Sequence, residues 1–299
     1  MTLIKKNIES ANSADGGIYR SPPKSIGIVS RYDNENAINI AQEIFQHLSQ
    51  IPGIHVKVEP HTSKHFIGNM IECESAPIKD MNVDVIIAIG GDGTILRTIQ
   101  AMDEPVPVLG INAGTLGFLA DVDPVDALTT IDSMLKDMKV NRRSRLEVTI
   151  NDEVIPYATN EVVIITAHPA KILTYLVYID GCQLDELRAD AIVIATPTGS
   201  TAYAMSAGGP IVDPRVDATV IVPLAPFKLS SRPWVVPASS EIGIELKVPK
   251  KEALIVVDGQ YTRTIREDDR IIIKKAEKPA LFIRSNANGF YEKVRNKLE

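Results

Sequence analysis

Apolar residues at Ala37, Ile40, Ala41, Ile44, Phe45 and Leu48 recur three and four positions apart, which predicts an amphipathic helix over 35–49. A short apolar run at 25–29 precedes it and reads as a buried strand, and a second run at 83–89 ends in the turn Gly90-Gly91-Asp92-Gly93-Thr94. A helix is expected from about 94 to 102, then a strand over 106–111. Asp123-Pro124 has the cap-then-proline form of a helix start, leading into 125–138. The stretch 52–79 shows no regular period beyond a strand at 54–58. Strands alternating with helices predict a doubly wound parallel sheet.

Beyond Arg145 the helical period gives way to short β-rich runs at 146–150, 162–166, 172–179, 191–195, 218–223, 242–248, 254–257 and 270–274. Asp180-Gly181 between two of them is a hairpin signal. A β-sandwich or similar antiparallel assembly is the expected second domain. The run 281–284 and the amphipathic tail 290–298 read as a strand and helix returning to the first domain. The division expected is an extension at 1–24, an α/β domain at 25–140, a β-sandwich-like domain at 141–278 and a returning segment at 279–299.

Composition changes this picture little. With 299 residues, 44% hydrophobic and 23% charged, the chain has material for a substantial core and exceeds the usual single-domain size. Two domains make a cleft between them the default ligand site. The formal charge of -6 argues against a general polyanion binder, so nucleic acid is not expected and any phosphate-holding cations must be local. Only Cys73 and Cys182 occur, with no Cys-x-x-Cys pair, which fits a reducing cytoplasm. No apolar run approaches the ~18 residues needed to span a bilayer, and the start lacks the apolar stretch of a signal peptide.

Chemistry concentrates in a few segments. Three glycines around Asp92 at the end of a buried strand remove side-chain bulk where amides could meet phosphate. Two readings stand: Asp92 caps its own helix, or it orients an attacking hydroxyl or holds magnesium on donor phosphates. The turn is neither a Walker loop nor a dinucleotide-binding Gly-x-Gly-x-x-Gly. A second turn, Asn112-Ala113-Gly114-Thr115-Leu116-Gly117-Phe118, follows the next strand and either reverses the chain or lies beside the first at the sheet's carboxyl edge. Hydroxyls crowd Thr196-Pro197-Thr198-Gly199-Ser200-Thr201-Ala202-Tyr203, as phosphate and ribose ligands or as a polar cap on a short helix. Asn160-Glu161 suits an adenine edge and a ribose diol, or is a plain turn. Asp258-Gly259 reads first as a hairpin turn. Arg142-Arg143-Ser144-Arg145 fits a phosphate contact or an exposed domain junction equally. His61 and His65 have helical spacing without a confident helix or a third ligand, so they read as solvated surface and no metal site is assigned.

In combination, Gly90-Gly91-Asp92-Gly93-Thr94, Gly114-Thr115-Leu116-Gly117-Phe118, Asn160-Glu161, 196–203 and Asp258-Gly259-Gln260, in that order, resemble the NAD kinase family from about Ser25 to the C-terminus. The first motif is shared with diacylglycerol and sphingosine-type lipid kinases and phosphofructokinases, whereas the Thr-Pro-Thr-Gly-Ser-Thr-Ala-Tyr run is far more specific. Pro226-Phe227-Lys228-Leu229-Ser230-Ser231-Arg232-Pro233 also looks like the family's segment before its final strands. The resemblance implies phosphoryl transfer from ATP, or in some members inorganic polyphosphate, to the 2′-hydroxyl on the adenosine ribose of NAD, giving NADP. By similarity Asp92 is the proton acceptor, and Gly93 lets the backbone lie against the dinucleotide. Asn160 and Glu161 would hold the adenosine half, and Arg188 and Asp190 match positions near the nicotinamide half. Thr201, Ala202, Tyr203, Ala204, Met205 and Ser206 match the stretch lining the NAD pocket, Gln260 a further NAD contact and Arg97 a phosphate contact. The resemblance further implies magnesium carried with ATP, and a site completed at the subunit interface of a dimer or tetramer. A lipid kinase with the same turn is the alternative enzyme, although no basic amphipathic helix for a membrane is evident. A non-catalytic NAD or NADP sensor is the alternative from another class, and the intact Asp92 argues against it.

Overall fold

Asn34 sits in extended backbone and its side-chain carbonyl accepts the Ala37 amide at 2.9 Å, starting the first helix where the apolar period begins. In the computed structural model, which describes residues 18–68, 71–114, 117–120, 122–168, 171–247, 252–284 and 289–298, the order is as follows. Strand β1 (Ile18–Arg20), β2 (Ser25–Ser30), helix α1 (Glu35–Ser49), β3 (His55–Val58), α2 (Pro60–Gly68), β4 (Glu74–Ser75), β5 (Val85–Gly90), α3 (Asp92–Gln100), β6 (Val108–Asn112), α4 (Ala127–Lys136) and β7 (Met138–Arg143) come first. Next are β8 (Leu146–Ile150), β9 (Glu153–Ala158), β10 (Glu161–Thr166), β11 (Leu173–Ile179), β12 (Cys182–Ala189) and β13 (Ala191–Ala195). Then come α5 (Tyr203–Ser206), β14 (Ala218–Leu224), β15 (Trp234–Pro237), β16 (Ile242–Leu246), β17 (Ala253–Val257), β18 (Tyr261–Ile265) and β19 (Ile271–Lys275). Last are β20 (Ala280–Ile283) and α6 (Phe290–Leu298). The chain divides into two compact units, 1–142 with 280–299, and 143–279.

In the first unit the strands form one sheet in the order β1-β7-β20-β6-β5-β2-β3-β4. Its centre is parallel, and β5 pairs with β2 on one side and β6 on the other. Strand β5 is buried along its whole length, because helices cover both faces. Val85, Ile87 and Ile89 pack with α1 and α4 through Ile40, Ile44 and Ile131, whereas Ala88 packs with Ile95 and Ile99 of α3. This is the expected doubly wound α/β arrangement. Three details differ from the sequence expectation, the first being that Ile18–Arg20, inside the expected extension, forms β1 and pairs with β7. Residues 52–79 contain the helix α2, so His61 and His65 do lie on a helix. The predicted helix over 125–138 stops at Lys136, since Asp137 is extended (φ -144°, ψ 98°) and Met138 and Val140 bury alternately as the start of β7.

In the second unit two antiparallel sheets, β15-β14-β13-β10-β17-β18 and β12-β11-β16-β19-β8-β9, face each other. Alternation fills the space between them: Leu146, Val148 and Ile150 of β8 meet Ile192 and Ile194 of β13 and Ile255 and Val257 of β17 in one core. The other face of β10, β13 and β14 is covered too, with Ala204 of α5 packed among Val163, Val193 and Val222. Asp180 and Gly181 both take positive φ (49° and 79°) and join β11 to β12, as the hairpin signal predicts. The strands β7, β12 and β18 have too many polar residues for an apolar-run reading, and β12, for example, exposes every residue except the buried Leu187 and Ala189 and the half-buried Leu184 and Asp185. Residues 1–17 of the N-terminal extension lie outside the described residues, as do Thr115 and Leu116 of the second glycine turn. Among the described residues no helix is long and apolar enough to cross a membrane.

Candidate active site

Strand β5 delivers Gly90 and Gly91 to the start of α3, with Gly91 as the residue before the helix and Asp92 as its first. The Asp92 carboxylate does not bond the free amides of its own helix. Its Oδ2 accepts the Phe118 amide at 2.8 Å, and its Oδ1 accepts those of Leu119 at 3.0 Å and Ala120 at 2.9 Å. The two glycine turns therefore do lie side by side, and Ala113 N–H also donates to the Gly90 carbonyl at 3.2 Å. A carboxylate offers about four lone-pair directions, and these three amides leave one on Oδ2. Asp92 is half-buried, so that last position remains available to one incoming donor.

The glycines around it serve different ends. A Cβ on Gly117 would stand 1.9 Å from Asp92 Oδ1, so the amide loop can reach the carboxylate only because residue 117 has no side chain. Gly93 is exposed, and a Cβ there would meet nothing within 4 Å. Neither folding nor packing of the chain itself demands glycine at 93. Arg97, one helical turn farther, is half-buried, and its Nη2 donates to the Ser30 carbonyl at 3.3 Å.

The second unit repeats the carboxylate clasp. Asp258 and Gly259 take positive φ (50° and 65°) at the tip of the β17–β18 hairpin, as the Asp-Gly signal predicts. The buried Asp258 carboxylate accepts the amides of Thr159 at 2.7 Å, Asn160 at 2.8 Å and Glu161 at 3.0 Å. The 196–201 turn closes on two of these residues. Thr196 Oγ1 donates to the Thr159 carbonyl at 2.7 Å and accepts the Gly199 amide at 3.1 Å, while Thr196 N–H donates to the Asn160 carbonyl at 2.9 Å. A Cβ on Gly199 would fall 2.1 Å from that carbonyl oxygen. Ser200 Oγ donates to the Pro197 carbonyl at 2.7 Å and accepts the Val212 amide at 2.9 Å, so this hydroxyl braces the turn.

Polar atoms are left over here. Thr159 Oγ1, Asn160 Oδ1 and Glu161 Oε2 are buried with no hydrogen-bond partner, which buried polar atoms rarely tolerate. Burial pushes the Glu161 carboxyl up to about 8, the neighbouring Asp258 adds to this, and the Tyr203 amide bonded to it opposes it. Burial likewise raises Asp258, against its three amides and the charge of Arg145. Arg145, from the basic run at the unit boundary, is buried with its guanidinium over the Tyr157 ring at 5.2 Å and its Nη2 on the Tyr157 carbonyl at 3.1 Å. It is therefore part of the scaffold around Asp258.

Of the remaining sequence candidates, Thr201 is buried in the turn, Ala202 and Met205 are half-buried, Ala204 is core, and Tyr203 and Ser206 are exposed. Gln260 is exposed at the tip of the Asp258 hairpin. Arg188 is exposed on β12 and stacks over Phe227 at 4.7 Å. Asp190 enters β13 at the end opposite to the one where Ala195 pairs with Glu161. At about 3.4 Å per residue it lies roughly 20 Å along the strand from the 196–201 turn. Sequence reasoning missed the loop amides at 118–120 and the Asp258 clasp; the Gly117 and Gly199 positions were the available signal. Among the described residues no group of three or more His, Cys, Asp and Glu is placed to hold a metal ion.

Two family models match: the ATP-NAD kinase N-terminal domain over residues 26–139, and the ATP-NAD kinase C-terminal domain over 159–285. The NAD kinase of Methanosarcina barkeri is 50% identical over 278 residues, 92% of this chain and 98% of its own. That of Pyrococcus abyssi is 44% identical over 260 residues, covering 86% of this chain and 93% of its own. Among solved structures, yeast NADH kinase complexed with NADH aligns with a TM-score of 0.84 at 25% identity, over 94% of this chain and 89% of that one. An NAD kinase from Archaeoglobus fulgidus in complex with ATP aligns with a TM-score of 0.72 at 29% identity, over 92% of this chain and 98% of that one.

Proposed function

Since the chain belongs to the NAD kinase family, we propose that it transfers the terminal phosphoryl group of ATP, or of inorganic polyphosphate, to the 2′-hydroxyl on the adenosine ribose of NAD, yielding NADP. The observation that carries the assignment of roles is the Asp92 carboxylate, fixed by three amides with a single lone pair unspent. A hydroxyl donating to that lone pair is held in one orientation. As its oxygen attacks the terminal phosphorus, the hydroxyl proton passes to Asp92 Oδ2. The bond from phosphorus to the bridging oxygen breaks, and its electron pair leaves with ADP or the shortened polyphosphate. Such transfers depend mostly on positioning and charge stabilisation, which suits a clasped carboxylate.

The unpartnered Asn160 Oδ1 calls for a donor, which the amino group of adenine supplies, and Glu161, which keeps its proton at neutral pH, can donate to a ribose hydroxyl. Gly93, which the fold does not require to be glycine, leaves room for the dinucleotide backbone. Tyr203, Met205, Ser206 and Gln260 remain the further dinucleotide contacts of this reading, with Thr201, Ala202 and Ala204 shaping the wall. Magnesium enters with ATP as part of the substrate, where it screens the phosphate charge, and no protein ligand is assigned to it. Asp190 enters β13 at the end far from Asn160, and Arg188 lies on the preceding strand β12, so their contribution to the nicotinamide half is assigned to a second copy in a dimer or tetramer. Exposed Phe227, Leu229, Trp234 and Val235 supply apolar surface for such an association. The site of action is the cytoplasm, where ATP and NAD are available and Cys73 and Cys182 stay free thiols.

The test is a coupled assay in which an NADP-specific dehydrogenase reports product from NAD with magnesium and either donor. NADP formation supports the reading and identifies the donor. Folded protein that binds NAD but yields no NADP with either donor overturns it in favour of a sensor.

A further inference from the structure

Of the three amides that hold Asp92, two belong to residues anchored in a core. Ala120 is buried and Leu119 half-buried among Ala88, Ile95 and Ile99, the apolar layer between the sheet and α3. Both donate to Oδ1. The third amide, that of Phe118, is alone on Oδ2, the oxygen that keeps a lone pair for an incoming donor. Phe118 is half-buried, and its ring packs in none of the apolar cores formed by the described residues. What the ring meets instead is a cation: Lys297 Nζ stands over it, 4.4 Å from its centre.

Lys297 belongs to α6, in the same compact unit as the clasp. Phe290, Lys293, Val294 and Lys297 recur at helical spacing and so share one face of that helix. The first three are half-buried, whereas Tyr291, Glu292, Arg295 and Asn296 are exposed, so this is the face laid against the unit. No residue of α6 is fully buried, which places it among the elements that open most readily. Among the described residues the partner of the Lys297 ammonium is the ring and no carboxylate, so its charge is not neutralised. An ammonium over an aromatic face is attracted by the ring quadrupole. The residue that fixes the reactive oxygen is therefore itself fixed from the last turn of the C-terminal helix.

We propose that Lys297 is a positioning residue for Asp92: its ammonium holds the Phe118 ring, and through it the N–H that fixes Oδ2. The effect on turnover rests on the phosphotransfer reading. When α6 lifts, Leu119 and Ala120 stay in their core and still hold Oδ1, but the donor on Oδ2 is free to swing away. A carboxylate held by one oxygen turns about its Cβ–Cγ bond, whose torsion is broad, and the lone pair that orients the hydroxyl turns with it. Helix α6 thus sets how much of the protein carries a correctly aimed Asp92, without touching either substrate.

The experiment compares the full-length protein with Lys297→Gln, Lys297→Arg, Phe118→Leu and the Phe118→Leu, Lys297→Gln pair, by hydrogen exchange of the Phe118 amide without substrates and by steady-state kinetics. Lys297→Gln should speed that exchange about twofold to fivefold, the scale of an exposed cation–π contact, and lower kcat by up to the same factor. The KM values for NAD and for ATP should stay within about twofold. The thermal melt should not move, since α6 buries no residue, and a guanidinium at 297 should restore both exchange and kcat. In the Phe118→Leu background, Lys297→Gln should change neither. Three results overturn the proposal: exchange or kcat of Lys297→Gln like the wild type, a raised KM for ATP with exchange unchanged, which would make Lys297 a phosphate ligand, or an equal loss in the Phe118→Leu background. Exchange that responds as expected in a protein that never forms NADP would sustain the hold on Phe118 while refuting the phosphotransfer reading.

Discussion

Replacing Gly117 by alanine separates the amide clasp from everything else that glycines do in this chain. The added Cβ would stand 1.9 Å from Asp92 Oδ1 and 2.7 Å from its Cγ, so the carboxylate or the loop must move by more than 1 Å. Either movement breaks the bonds from Leu119 and Ala120 to Oδ1, which are hydrogen bonds to a charged acceptor. Each is worth about 1.5–3 kcal/mol when buried, and water can reach the half-buried carboxylate in compensation, so we expect about 2–4 kcal/mol of lost stability. At the usual 2–4 °C per kcal/mol for a chain of this size, the melting temperature should fall by about 4–16 °C. Turnover should fall further than stability, by about 10²–10⁴, because the lone pair that orients the hydroxyl no longer points where it did. Gly93→Ala is the control, since its Cβ meets nothing within 4 Å. Its melting temperature should match the wild type while the KM for NAD rises. The assays are a thermal melt by circular dichroism and the coupled NADP assay. A Gly117→Ala protein with wild-type melting and turnover would refute the role given to the clasp.

Asp92→Asn keeps the volume and removes the anion, so NADP formation should drop by about 10²–10⁴ with little change in NAD affinity measured by calorimetry; equal turnover would remove Asp92 from the chemistry. Glu161 makes stability fall with rising pH. Its unfolded value is near 4.5 and its folded value about 8, so between them the native state holds a proton that the unfolded chain has released. Urea denaturation should lose up to about 1.4 kcal/mol per pH unit across that window and level off above it, and Glu161→Gln should flatten this slope; parallel profiles would contradict the burial argument. Gly199→Ala would drive a Cβ to 2.1 Å from the Asn160 carbonyl, so NAD affinity should weaken at least tenfold, measured by calorimetry, along with a lower melting temperature.

Legibility in the sequence followed the range of the interactions concerned. Helix α1 occupies the 35–49 predicted from its apolar spacing, and β8 and β13 occupy 146–150 and 191–195, because period and burial are local properties of those residues. Strands such as β12 and β18 expose alternate charged or hydroxyl side chains, Glu186 and Arg188 or Thr262 and Thr264, and only their partners β11 and β17 explain their extension. Helix α2 was obscured by Pro60, two histidines and a lysine, which dilute its apolar face to Phe66 against α1. The same holds for the site. Asp92 stood out beside its glycines, but its partners are 26–28 residues away, and those of Asp258 are 97–99 residues away. No local pattern encodes such a distance. The local hairpin reading of Asp258-Gly259 was correct and incomplete, since the same aspartate both turns the chain and clasps the 159–161 amides.

Two aspartates with the same three-amide clasp need not do the same work, and burial decides between them. Asp258 is 5% exposed, has the Arg145 charge nearby and lies among atoms that already lack partners, so its function is to hold the Asn160 and Glu161 backbone against the 196–201 turn. A ligand hydroxyl gains nothing by approaching a carboxylate it cannot reach. Asp92 is half-buried at a helix start, flanked by the exposed Gly93, and keeps one lone pair turned to whatever occupies that space. The clasp therefore explains rigidity in both units, and only exposure converts rigidity into reactivity. It follows that Asp258→Asn should leave a protein impaired chiefly in stability and NAD affinity, with kcat at saturating NAD close to the wild type, whereas Asp92→Asn should show the reverse. A shared loss of kcat in both variants would mean that the two clasps cannot be told apart by burial.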